Sequence, residues 1–216
     1  MLAEIRCQCS GLRKKYGRHE ILKGCSFSIR SAELIGVTGE NGSGKSTLVR
    51  CLLGFARPTS GEVRLDPSVG YCPQDNYLNG RFTLSEHLRL AGAILGGRGA
   101  VDSRRREWLL QTLRLEQFLG HRMGHLSGGT IQKVKFLTSI LHHPRLVILD
   151  EPTDGFDWGM YLTYWDIVSR LRREGVAVLM ISHLLYDQTR FDRVYEMREG
   201  TLAATSARVG GAGLPH

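Results

Sequence analysis

The 216-residue sequence predicts an α/β fold: a parallel sheet covered by helices on both faces, a small antiparallel β lobe, and an inserted all-helical segment. Three observations predict it. Apolar runs at 34–37, 146–149 and 176–181 read as strands buried on both faces, and stretches with apolar residues at helical spacing alternate with them. The segment from about 78 to 126 carries only the helical period.

The elements follow in order. Short strand-like runs at 5–9 and 25–29, separated by a polar turn around Gly17-Arg18-His19, form the antiparallel lobe. The run 34–37 leads into a glycine-rich loop, and a helix over 46–53 sets Leu48, Val49, Leu52 and Leu53 on one face before Gly54. Strand signals recur at 62–65 and 69–72. Thr83-Leu84-Ser85-Glu86 fits a capping box, with Leu84, Leu88, Ala91 and Leu95 as the stripe behind it, and a second helix is expected over about 102–118. From Thr130 a helix carries Ile131, Val134, Leu137, Ile140 and Leu141, closed by Pro144. The strand at 146–149, a helix over 158–173 and the strand at 176–181 complete the alternation. The Gly- and Ala-rich stretch 201–216 loses periodicity and is expected to be a loose tail after a single domain of residues 1–200.

An apolar share of 42% and a charged share of 23% suit a globular chain and exclude collagen-like, coiled-coil and largely disordered classes. Every apolar run falls far short of the roughly 20 residues that span a bilayer. The start, Met1-Leu2-Ala3-Glu4-Ile5-Arg6, shows no basic segment followed by an apolar one, so a reducing cytoplasm is expected. Five cysteines, at 7, 9, 25, 51 and 72, include no Cys-x-x-Cys pair and read as small buried hydrophobes. The net charge, 29 − 21 = +8, with basic clusters at 13–15, 104–106 and 170–173, favours an anionic partner; each cluster alone also reads as a solvated face.

The sharpest signal is Gly39-Glu40-Asn41-Gly42-Ser43-Gly44-Lys45-Ser46, which matches G-x-x-x-x-G-K-[ST] between a strand and a helix. Such a loop turns its N–H groups inward at phosphate oxygens, and the helix adds its positive end. Lys45 is placed to reach the β- and γ-phosphates, and Ser46 to ligate Mg²⁺. The strand 146–149 delivers Asp150 and Glu151 at its C-terminal end, where ligands bind in open α/β sheets. Asp150 suits the Mg²⁺ shell, and Glu151 suits a general base that polarises the attacking water.

Leu126-Ser127-Gly128-Gly129-Thr130, ahead of a helix and before the Asp-Glu strand, resembles the signature motif of ABC-type ATPases, and the motif order over residues 5–200 agrees. The resemblance implies a P-loop NTPase (RecA-like) core and ATP with Mg²⁺ as ligands. It implies that Tyr16 stacks on adenine, that Thr47 joins the phosphate site, that Gln74 contributes to Mg²⁺ binding and catalysis, and that His183 contacts the γ-phosphate. Asp157, in Pro152-Thr153-Asp154-Gly155-Phe156-Asp157, is similar to the D-loop aspartate. From the residues alone, Tyr16 also reads as a hairpin surface tyrosine, Gln74 as a solvated loop amide, His183 as a core histidine and Ser127 as a plain helix cap. The signature has Thr130 where glutamine is commonest, which leaves the phosphate-facing Ser127 and Gly129 in place, with Gly128 between them in the same nucleotide-binding turn.

In this family the signature of one subunit completes the phosphate site of another. The resemblance therefore implies a second ATPase subunit, transmembrane subunits received by the 78–126 insertion and the Gln74 loop, and a peripheral place on the cytoplasmic face of the membrane. The segments 69–74 and 152–157 look similar to the multidrug and lipid exporter branch, which points to export. A soluble ABC ATPase acting on ribosomes or DNA is the alternative suggested by the +8 charge; no nucleic acid is expected under the transporter reading.

Overall fold

The chain opens on a long hairpin, β1 (Ile5–Tyr16) and β2 (His19–Arg30), closed by a two-residue turn at Gly17-Arg18. The structure, a computed structural model, describes residues 4–95, 102–185 and 187–205, with the Leu95 side chain outside that description. Its contacts gather into two units, Met1–Asp66 with Ala177–His216, and Pro67–Val176. Both carry parallel strands flanked by helix, so the fold class is the expected α/β, P-loop NTPase (RecA-like) type.

In the first unit β1 pairs antiparallel with β2 on one edge and with β4 (Ser60–Leu65) on the other. Alternate residues face inward, among them Cys7, Cys9, Leu12, Leu22, Cys25 and Ile29, each at most 2% exposed. The hairpin is longer than its apolar runs suggested, because bulges in β1 let pairing continue through the polar Arg13–Tyr16 end. A parallel set places β3 (Leu34–Thr38) between β7 (Ala177–Ile181) and β8 (Arg193–Arg198), all of β7 being buried. α1 (Lys45–Leu52) follows β3 through the glycine-rich loop.

Thr201–Thr205, expected as the start of a loose tail, is instead a strand, β9, antiparallel to β8. The reason is the turn Glu199-Gly200, where both residues have positive φ (45° and 81°), the geometry of a tight hairpin that matches strand twist. Residues 206–216, the rest of that expected tail, lie outside the described residues.

In the second unit β5 (Val69–Cys72) pairs parallel with β6 (Leu146–Asp150), every residue of which is buried. Around them lie α2 (Leu84–Leu95), α3 (Ser103–Thr112), α4 (Gly128–Ile140) and α5 (Trp158–Arg173). The described residues of 78–126 form α2, α3 and two short 3-10 turns. The capping box closes as expected: the Thr83 N–H donates to Glu86 Oε2 at 2.8 Å and the Glu86 N–H to Thr83 Oγ1 at 3.2 Å. The helix expected over 102–118 ends at Thr112, because Arg114 adopts φ 55° and the chain turns to bury Leu113 and Leu115 completely. Phe136 of α4 and Tyr164 of α5 pack with ring centroids 4.8 Å apart.

All five cysteines are free and buried, as expected. Burial pushes the thiols of Cys7, Cys9 and Cys72 up to about 12. Unfolded, these thiols ionise from 9.0, so their contribution to stability is full below that value and is lost as pH rises toward 12. Urea unfolding at about pH 8.5 and about pH 10.5 should therefore show lower stability at the higher pH, with the loss reduced when Cys7 and Cys9 are replaced by alanine.

Gly70 fixes how closely α4 approaches β5, since a Cβ there would run into the Ser139 carbonyl oxygen. Gly70→Ala should destabilise the chain by about 1–3 kcal/mol, the usual effect of overpacking, as read by a lower urea midpoint.

Candidate functional site

The first unit holds the phosphate loop. Gly44 is the N-cap of α1 with φ 113° and makes no side-chain cap hydrogen bond, and the first turn carries no acidic residue. A side chain there would be strained, and its Cβ would lie 3.2 Å from the Ile21 carbonyl oxygen. The N–H groups at this helix start are consequently left for a ligand rather than for a cap. Lys45 is 9% exposed; its Nζ donates to the carbonyls of Gly39 and Glu40 at 2.6 and 2.9 Å, which keeps the ammonium against the loop. Ser43 Oγ is buried without a hydrogen-bond partner, an orphan of the kind a bound oxyanion satisfies. Asn41, Gly42 and Ser46 are exposed, and Thr47 is half-buried.

The hairpin that sequence reasoning missed supports this loop. The Gly200 N–H donates to the Ser43 carbonyl at 3.0 Å, and the Gly200 carbonyl accepts from the Lys23 N–H at 2.8 Å. Tyr16 sits at the tip of the first hairpin, 47% exposed, with Lys14 Nζ 4.7 Å from its ring centroid. His183 follows β7 and is exposed, which removes its reading as a core histidine.

The second unit carries Gln74, Asp150, Glu151, the Ser127–Gly129 turn and Asp157. Asp150 and Glu151 are 5% and 7% exposed at the end of β6. Glu151 adopts φ 47°, a left-handed conformation costing about 1–3 kcal/mol in a non-glycine residue and found preferentially at functional sites. Its carbonyl accepts from Gln132 Nε2 at 3.2 Å. Gln74 is exposed just beyond β5, and the carbonyls of Pro73 and Gln74 accept from Lys135 Nζ at 2.9 and 2.7 Å. Sequence reasoning missed Gln132 and Lys135; the available signal was polar residues inside the apolar stripe of α4, Lys135 lying four residues after Ile131.

Ser127 is the N-cap of α4: its Oγ accepts from the Thr130 N–H at 3.3 Å and lies 2.9 Å from Thr130 Oγ1. Thr130, the departure from the usual glutamine, thus pairs with the signature serine. A Cβ on Gly129 would come within 2.9 Å of the Gly155 carbonyl oxygen, so a glycine lets the signature turn lie against the 152–157 loop. At the end of that loop Asp157 caps α5, its Oδ1 accepting from the Met160 N–H at 2.7 Å.

Among the described residues no group of three or more His, Cys, Asp or Glu comes together to hold a metal ion. A cation of the Mg²⁺ kind takes one or two protein oxygens and completes its shell with water and substrate phosphates. Oxygens of that type are carried by Ser46 in the first unit, a hydroxyl, and by Asp150 in the second, a carboxylate.

The ABC transporter family pattern matches residues 22–154, more than half of the chain and the stretch that holds the phosphate loop, Gln74, the signature and the two carboxylates. The chain belongs to the ABC transporter family. Within it the chain is an ATP-binding domain, of a kind whose members are ATP-hydrolysing enzymes. It is 33% identical over 192 residues to the Nod factor export ATP-binding protein I of Ralstonia nicotianae, covering 83% of this chain and 60% of that one. It is 37% identical over 178 residues to the zinc import ATP-binding protein ZnuC of Yersinia enterocolitica, covering 79% of this chain and 67% of that protein. Among solved structures it resembles the ATP-binding subunit of an ABC transporter, with a TM-score of 0.87 and 28% identity over 94% of this chain and 90% of that one. One of these relatives is named for export and another for import, so membership in the ABC family does not select the multidrug and lipid exporter branch.

Lys45→Ala should weaken ATP binding at least about tenfold by removing a charge-assisted phosphate contact. Equilibrium binding measures it, and unchanged affinity would count against the phosphate-loop assignment.

Proposed function

We propose that the chain is the ATP-hydrolysing subunit of an ABC membrane transporter, a single ATPase domain over residues 1–200 with a helical subdomain at about 78–126. The observation that carries the catalytic part is Glu151, a buried carboxylate on strained backbone, one residue past Asp150 and on the same chain as a complete phosphate loop.

In this reading Gly39, Asn41, Gly42, Ser43, Gly44, Lys45, Ser46 and Thr47 bind the phosphates through backbone N–H groups, hydroxyls and the Lys45 ammonium. Tyr16, half-exposed at the hairpin tip, offers the adenine a ring face. Ser46, Asp150 and Gln74 would hold Mg²⁺, which would supply positive charge to offset that gathering on the phosphate oxygens. Glu151 takes a proton from the attacking water, and Gln74 and His183 orient water and γ-phosphate. Ser127, Gly128 and Gly129, with Asp157, face the nucleotide of a second ATPase subunit, identical or paralogous. Loss of the γ-phosphate contacts then releases that pairing, an order-and-release switch.

None of the described helices is long and apolar enough to cross a membrane. In this reading transmembrane subunits supply the path for the substrate and the chain is peripheral on the cytoplasmic face. Export is the direction we favour, supported by the 69–74 and 152–157 segments and by the export role in the name of the Ralstonia relative. The zinc import role named for the Yersinia relative is the observation that favours the opposite direction. The net charge of +8 favours a second reading, an ABC ATPase acting on ribosomes or DNA.

Glu151→Gln should bind ATP normally and lose hydrolysis by at least about 10²-fold, the lower range for acid–base catalysis. Near-normal turnover in that variant would remove the general-base assignment. Affinity capture of the tagged chain from detergent-solubilised native membranes should recover a multi-pass membrane protein in stoichiometric amount; recovery only with ribosomes or DNA would replace the transporter reading.

A further inference from the structure

We propose that Lys135 is a positioning residue of the nucleotide site: from α4 it clamps the backbone that carries Gln74 and ties that backbone to the helix that begins with the signature turn. Lys135 is only 3% exposed, on a helix whose neighbouring positions Val134, Phe136 and Leu137 are completely buried. A lysine is rarely buried without partners that use its charge. Here Nζ donates to the carbonyls of Pro73 and Gln74 at 2.9 and 2.7 Å. These two carbonyls lie where the chain leaves β5. Cys72 before them is completely buried, whereas the Gln74 side chain after them is exposed. The ammonium is therefore the fixed point between a strand that is held by its ladder and an amide that is not.

Burial lowers the pKa of the Lys135 ammonium, and the nearby carboxylates of Asp75, Asp154 and Asp150 offset part of that effect. One turn earlier on α4, Gln132 holds the Glu151 carbonyl at 3.2 Å. Successive inward-facing polar residues of one helix thus reach the loop of Gln74 and the backbone of Glu151, while the first turn of that helix is the Ser127–Gly129 turn. A displacement of the signature end of α4 is carried to the Gln74 loop through Lys135.

The proposal rests on the role given to Gln74 above, and its test separates the two. In Lys135→Met, without nucleotide, amide hydrogen exchange over residues 73–78 should quicken about tenfold or more, the effect of losing a hydrogen bond to a charged group, with α5 unchanged. Steady-state ATP hydrolysis by the full chain should fall about tenfold or more in kcat, as for a displaced catalytic group, with the KM for ATP kept within about twofold. On a Gln74→Ala background the same substitution should cause no further loss. Unchanged exchange over the loop, or an undiminished loss on that background, overturns the proposal. Should Gln74→Ala alone hydrolyse ATP as the parent does, the role of Gln74 fails and loop exchange alone decides the clamp. Should Lys135→Met fail to fold, Lys135→Gln, too short to bridge both carbonyls, replaces it with the same expectations.

Discussion

The site depends first on a helix that begins without a cap of its own. α1 starts after Gly44, in a backbone conformation that side chains rarely adopt, with neither a capping side chain nor an acidic residue in its first turn. Helix starts are ordinarily quieted by Ser, Thr, Asp or Asn. Leaving this one open keeps donors and a positive dipole end available to an anion. The surrounding parts compensate for that openness: Lys45 is drawn onto loop carbonyls, the Gly200 turn holds Ser43, and α1 buries Leu48, Val49, Cys51 and Leu52.

The second unit solves a different problem, that of holding carboxylates and an exposed amide in fixed places. Its device is α4, which is buried along nearly its whole length after the first turn. Gln132 and Lys135 bond the backbone carbonyls of Glu151, Pro73 and Gln74, so they set the course of the chain at both places. Gly70 and Gly129 act in the same direction, each permitting a backbone approach that a Cβ would prevent.

The parts legible in the sequence are those where backbone geometry dictates residue type. The loop from Gly39 to Ser46 could be placed because its glycines and lysine leave few alternatives, and the strand at 146–149 because an apolar run that short and dense is buried on both faces. β8 and β9 were not legible. Arg193, Glu196 and Arg198 interrupt the apolar pattern of β8, and the turn Glu199-Gly200 is not a common hairpin dipeptide. The end of α3 was hidden because burial of Leu113 and Leu115 overrides a helical period that continues to Phe118. Lys135 and Gln132 escaped because their partners are carbonyls remote in sequence, which no periodicity records.

The most direct test of a phosphate site built from backbone is amide chemical shift on titration with Mg²⁺ and ATP. The account predicts that the largest shifts fall on Gly42, Gly44, Lys45, Ser46 and Thr47, and that inorganic phosphate analogues of the triphosphate reproduce them. Saturable binding that leaves those five amides unmoved while shifting others would contradict it.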